Sequence, residues 1–147
     1  LKLENPSATA ASASGGPVTG VSFEGWERYS HGAVEQARAA GKPVFVDLTA
    51  AWCITCLVNE RVALETAATK QAFERTDTVK LKGDWTNKDP EISALLKEIG
   101  RAGVPVYLYW APGAQAPKIL PQILTESLVI SEIGQPGRAA CKGDVRC

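Results

Sequence analysis

A chain of 147 residues with 16 basic and 16 acidic side chains carries no net charge. It therefore offers no electrostatic footprint for nucleic acid or for an anionic membrane surface. Its length suits one domain with a genuine core, and no apolar run approaches the roughly 18 residues that a membrane helix needs. The sequence contains no methionine, which reads as a processed chain or a piece of a longer one.

Residues 1–20, "LKLENPSATAASASGGPVTG", are small and polar, and predict a flexible linker. Residues 21–134 then read as one folded domain, followed by a flexible polar tail over 135–147. "VSFEGW" predicts a short edge strand. Ser30 predicts a helix cap, with the helix running through Ala40 and stopped by Gly41 and Pro43. "PVFVDLT" is a compact run rich in β-branched residues, the signature of a buried central strand. A helix is expected to start at the following cysteines and run to about Thr69. "TVKLKGDW" alternates Val79 and Leu81 with lysines and predicts a strand.

Asp89 followed by Pro90 predicts the start of another helix, and Ile92, Leu95, Leu96 and Ile99 give it one apolar face. "VPVYLYW" predicts a strand, with a turn at "APGAQAP" and a short strand around Ile119. Thr125 predicts the cap of the last helix, with Leu124 and Val129 spaced as a hydrophobic staple and Gly134 as its stop. Strands first alternate with helices, and then two strands meet across a turn. The class is therefore α/β, a mixed sheet with helices on its faces.

Chemistry concentrates in "AAWCITC", Ala50 to Cys56. Cys53 falls where the central strand gives way to a helix, beside unpaired backbone N–H groups and the positive end of the helix dipole, which favour thiolate. Cys56 lies one turn on and can close a small ring. An exposed Cys53 would attack a partner disulfide, and Cys56 would resolve the mixed disulfide. Structural zinc needs four ligands, and the other cysteines, Cys141 and Cys147, lie in the tail with five residues between them. A purely structural bridge would close only a tiny loop and constrain the unfolded chain little. A CxxC pair after a strand, in a βα setting, favours redox exchange over both. His31, the single histidine, is given no role.

Two carboxylates are candidates for tuning the pair. Asp47 interrupts a run that otherwise reads as buried. Glu60 follows Cys56 by four residues and shares its helix face.

The segments "GKPVFVDLTAAWCITCLVNE", "DWTNKDPEI", "GVPVYLYW" and "ILPQILT" resemble the thioredoxin fold, and more closely the C-terminal periplasmic domain of the DsbD and ScsB thiol:disulfide interchange family. The resemblance covers about residues 22–133. It implies a thioredoxin fold and a protein-disulfide reductase that needs no cofactor and no metal. It implies an electron donor in a transmembrane domain of the same parent protein, and an acceptor in a periplasmic thioredoxin-fold or N-terminal domain. It places the domain in the periplasm, tethered by residues 1–20 to the inner membrane.

The resemblance makes Cys53 the nucleophile and Cys56 the resolving cysteine, and matches Asp47 and Glu60 to acids near the pair. It assigns substrate contact to Trp52, Val104 and Pro105, with the Val104–Pro105 bond cis. The chain departs from the family at Leu57, where lysine is frequent. The dipeptide Ile54-Thr55 lacks the histidine of strongly oxidising members, which suits a reductant. Two alternatives stay open: a copper- or zinc-binding module using the CxxC cysteines, and a free-standing thioredoxin-like protein for cytochrome c maturation.

Overall fold

The computed structural model describes residues 21–133. The expected linker 1–20, the expected stop at Gly134, and the tail 135–147 with Cys141 and Cys147 lie outside the described residues. The elements in chain order are β1 (Glu27–Arg28), α1 (His31–Ala39), β2 (Val44–Thr49), α2 (Ile54–Asn59), a π-turn (Glu60–Leu64), α3 (Ala67–Thr76), β3 (Val79–Asp84), α4 (Pro90–Glu98), β4 (Val106–Trp110), β5 (Lys118–Ile119) and α5 (Glu126–Ile133).

The five strands form one mixed sheet in the order β1-β3-β2-β4-β5. β1 and β2 lie parallel to β3, while β4 runs antiparallel to both β2 and β5. The mixed sheet between helical layers matches the expected class.

β2 is central, and all six of its residues are buried. Its side chains alternate between the two faces, as strand geometry requires. Val44, Val46 and Leu48 join Val34, Leu81, Ile92, Leu96 and Leu108 on the face covered by α1 and α4. Phe45 joins Leu64, Phe73, Tyr107, Leu124 and Val129 on the face covered by α3 and α5. Asp47 and Thr49 lie on this second face with Phe45.

Local chemistry sets the helix ends. Ser30 Oγ accepts the Ala33 N–H at 3.0 Å, Asp89 Oδ2 accepts the Ile92 N–H at 3.0 Å, and Thr125 Oγ1 accepts the Leu128 N–H at 3.1 Å. Each satisfies an otherwise orphaned donor.

Two expectations are corrected. "VSFEGW" is not itself a strand: the Trp26 N–H closes a turn onto the Phe23 carbonyl at 2.7 Å, and the edge strand begins at Glu27. The helix from the cysteines does not run unbroken to Thr69. It widens into the π-turn, stops at Glu65, and a new helix starts after Thr66. Thr66 Oγ1 caps the Thr69 N–H at 3.2 Å, and the buried Thr69 hydroxyl donates to the Ala63 carbonyl at 2.6 Å. That bond takes up a carbonyl left over where the helix ends.

Candidate functional site at the end of the central strand

β2 delivers the chain to a turn at Ala50–Trp52, and Cys53 caps α2. Cys53 and Cys56 form a disulfide with their Cα atoms 5.2 Å apart. The Cys56 N–H donates to Cys53 Sγ at 3.1 Å, so this sulfur occupies the capping position that an oxygen usually takes. Cys53 retains 7% of its surface and Cys56 none. Cys53 is thus the less sealed of the two cysteines, though less open than the sequence reading expected. Val104 packs against Ala50, Cys53 and Cys56, and the Val104–Pro105 peptide bond is cis.

Around the disulfide the surface is apolar. Trp52, Ile54, Leu57, Val58 and Val62 are all exposed. Trp52 is not simply core packing: its Nε1–H donates to the Thr86 carbonyl at 3.1 Å. The Lys88 ammonium lies 5.1 Å from the Trp52 ring and 4.8 Å from the Trp85 ring, within cation–π range.

Beneath this surface lies a buried polar cluster. Asp47 is fully buried, and neither of its carboxyl oxygens has a hydrogen-bond partner. Burial, reinforced by the neighbouring Glu60 charge and partly offset by Lys82, pushes its pKa up to about 8. The dominant cause is loss of solvation of the charged form. Glu60 is part-buried and is also raised, by burial first, with Lys82 and the Thr49 hydroxyl pulling the other way. Thr49 Oγ1 donates to Glu60 Oε2 at 3.2 Å. Lys82 Nζ stands 4.0 Å from the same carboxylate oxygen and donates to the Ser22 carbonyl at 2.8 Å. The structure therefore brings Asp47 and Glu60 together.

Sequence reasoning missed three members of this cluster. Lys82 is buried although its strand alternates Val79 and Leu81 with lysines; helices on both sheet faces leave no solvated side for the middle of β3. Tyr107 and Asn59 were read as ordinary strand and helix residues. Asp47 lies in register with Lys82 on one neighbouring strand and with Tyr107 on the other. That pairing depends on the sheet order and leaves no local signal. Among the described residues, no group of three or more His, Cys, Asp or Glu is gathered that could hold a metal ion.

A model of the thioredoxin-like family matches residues 25–112. The thiol:disulfide interchange protein DsbD of Yersinia enterocolitica is 39% identical over 82 residues, 55% of this chain but 14% of that protein. DsbD 1 of Pseudomonas aeruginosa is 43% identical over 82 residues, 55% of this chain and 13% of that protein. This chain thus spans only a small part of the length of these curated relatives. The oxidised C-terminal domain of Neisseria meningitidis DsbD superposes with a TM-score of 0.58 at 26% identity, covering 75% of this chain and 98% of that one. The family match takes in more than half of the chain and includes the strand, the CxxC disulfide and the cis-proline; the protein belongs to the thioredoxin-like family, and its fold is similar to that of the C-terminal domain of DsbD.

Proposed function

We propose that this domain relays electrons from a membrane-embedded domain of its parent protein to periplasmic disulfides, with Cys53 as nucleophile and Cys56 as resolving cysteine. The observation that carries the reading is the asymmetry of the pair: Cys53 Sγ accepts the Cys56 N–H and retains some surface, while Cys56 is sealed. An N–H aimed at sulfur favours its thiolate.

In the reduced domain, Cys53 thiolate attacks one sulfur of a substrate disulfide. A Cys53–substrate bond forms, the substrate S–S bond breaks, and the first substrate thiolate leaves. Cys56 then loses its proton and attacks Cys53 Sγ, releasing the second substrate thiolate and forming the Cys53–Cys56 disulfide. Two thiols are oxidised and one disulfide is reduced. Recharging reverses this sequence: a donor thiolate attacks Cys53 and Cys56 leaves as a thiolate inside the protein. A buried thiolate is costly, and the reading assigns its proton to Asp47, which burial keeps protonated at neutral pH. Glu60 and Lys82 set how readily Asp47 gives the proton up.

Trp52, Val104 and Pro105 border the disulfide and would hold the partner chain. The donor is a transmembrane domain of the same protein, and the acceptor a periplasmic thioredoxin-fold or N-terminal domain. The site lies in the periplasm, and the full-length protein is anchored to the inner membrane; no helix among the described residues is long and apolar enough to cross it.

Trapping tests the proposal. Reduced Cys56→Ala protein should accumulate a mixed disulfide when offered an oxidised, disulfide-bonded periplasmic protein, and Cys53→Ala should form none. Equal trapping by both variants would reject the assigned roles.

A further inference from the structure

The loop from β3 to α4 grips the turn that carries Cys53. The Cys53 N–H closes that turn onto the Ala50 carbonyl at 3.1 Å, which leaves Ala51 and Trp52 at its centre. Both central residues bond Thr86. The Ala51 N–H donates to Thr86 Oγ1 at 2.8 Å, and Trp52 Nε1–H donates to the Thr86 carbonyl at 3.1 Å. An N–H only donates, so the Thr86 hydroxyl accepts from Ala51 and sends its own proton to Asp84 Oδ1. The same Oδ1 accepts the Thr86 N–H at 2.9 Å. Asp84 thereby fixes which way the hydroxyl points.

The sheet explains why a side chain is used here. β2 and β3 pair in parallel as far as Thr49 and Asp84. One more backbone bond follows, from the Trp85 N–H to the Thr49 carbonyl at 2.7 Å. The loop then turns back, with the Lys88 N–H donating to the Trp85 carbonyl at 3.0 Å. Thr86 Oγ1 supplies the next acceptor in the ladder's place, for an amide that would otherwise lack one. Lys88 completes the grip. Its backbone is left-handed, with φ 58°, an uncommon conformation for a residue other than glycine. Its ammonium lies over the Trp52 ring.

We propose that Asp84 and Thr86 are positioning residues for thiol exchange, a latch that holds the turn so that Cys53 Sγ keeps the Cys56 N–H. The inference rests on the proposed reading of Cys53 as nucleophile. Trp52 and Cys53 are adjacent in the chain, so one anchor places both an exposed ring beside the disulfide and the sulfur that reacts. Without the Thr86 hydroxyl the turn loosens. Cys53 Sγ then spends less time against the Cys56 N–H, and its thiolate loses that support.

Thr86→Val removes the hydroxyl at nearly the same shape, and Thr86→Ser keeps it. Neither changes a charge, so Asp47 and Glu60 of the buried cluster and Asp84 and Lys88 of the loop are common to all three proteins. In the oxidised proteins, NMR hydrogen exchange of the Ala51 amide should be about fivefold faster in Thr86→Val than in the wild type. The Val46 amide in β2 reports opening of the whole fold and should change less. In the reduced proteins, the pH midpoint of Cys53 alkylation should rise by about half a unit in Thr86→Val and return towards the wild-type value in Thr86→Ser. A midpoint unchanged or lowered in Thr86→Val, or a serine variant that behaves like valine, would overturn the proposal. So would equal acceleration of the Ala51 and Val46 amides, which is the mark of a merely less stable fold. Should Thr86→Val fail to fold, the wild type decides: its Ala51 amide should be protected although it lies beyond the sheet, and exchange at the rate of a free peptide overturns the latch. Insulin reduction by the wild type is read separately. An inactive protein with the expected amide and alkylation pattern would remove the thiol-exchange reading and leave the latch standing.

Discussion

The backbone N–H of Cys56 points at Cys53 Sγ from 3.1 Å, and Cys56 has no surface of its own. On the proposed assignment of Cys53 as nucleophile, both facts act in one direction, favouring its thiolate and its access to a partner once the bond is reduced. Limiting iodoacetamide on the reduced protein should therefore modify Cys53 before Cys56, as read by peptide mass spectrometry. Preferential labelling of Cys56 would reverse the assignment.

The dipeptide between the sulfurs, Ile54-Thr55, supplies no cation to stabilise a thiolate. A less stabilised thiolate makes a stronger reductant. Equilibration with glutathione should place the couple nearer thioredoxin, at about −270 mV, than DsbA, at about −120 mV. A potential close to the DsbA value would refute a reducing role.

Asp47 makes stability depend on pH in a defined direction. Unfolded, it titrates at its ordinary 3.8; folded, at about 8. Between those values the folded protein holds a proton that the unfolded chain has released, so stability falls as pH rises through the window. The penalty is absent below about pH 4 and complete above about pH 8, where it is on the order of several kcal/mol. Asp47→Asn stays neutral throughout. Its Tm should match the wild type near the acid end and exceed it increasingly towards pH 8. Parallel Tm profiles would show that this carboxyl is not raised.

The same acids oppose thiolate formation. Glu60→Gln removes a carboxylate from the π-turn that follows the cysteine helix, and should lower the pH midpoint of Cys53 alkylation by about half a unit to one unit. Asp47 is neutral below about pH 8, so Asp47→Asn should act mainly on the upper limb of the curve. The double variant should fall furthest. Unchanged midpoints in all three would leave the Cys56 amide and the start of α2 as the controlling groups.

Gly83 leaves the space that Leu48 and the α4 residue Ile92 fill. A Cβ at this position would stand 2.7 Å from Leu48 Cδ2 and 3.0 Å from Ile92 Cδ1. Gly83→Ala should cost about 1–3 kcal/mol by overpacking, seen as a lower urea midpoint at unchanged slope. Ile92→Val in the same chain should recover part of the loss. A wild-type midpoint in Gly83→Ala alone would mean that the Leu48 side chain moves aside freely.

How far the sequence could be read depended on whether the signal was local. β2 announces itself through Val44, Phe45, Val46 and Leu48, and Asp47 stands out because it breaks that run. Asp89-Pro90 and Ser30 mark helix starts by their own chemistry. The break at Thr66 has no glycine or proline to signal it, and the bond from the Thr69 hydroxyl to the Ala63 carbonyl that accompanies it forms only in the folded chain. Lys82, Tyr107 and Asn59 escaped notice for a related reason. Each gains its role from a neighbour on another element, and the sheet order that creates those neighbours is a property of the whole fold.

The central strand has a consequence for how such a domain can diversify. β2 pairs along both edges with every side chain buried, so its amides should exchange with solvent only when the whole domain opens. Trp52, Ile54, Leu57 and Val58 sit a few residues beyond it, yet are exposed and outside both main core clusters. Substitutions there change what a partner meets while costing the sheet almost nothing. The surface around the disulfide can therefore be altered without disturbing the sheet beneath it.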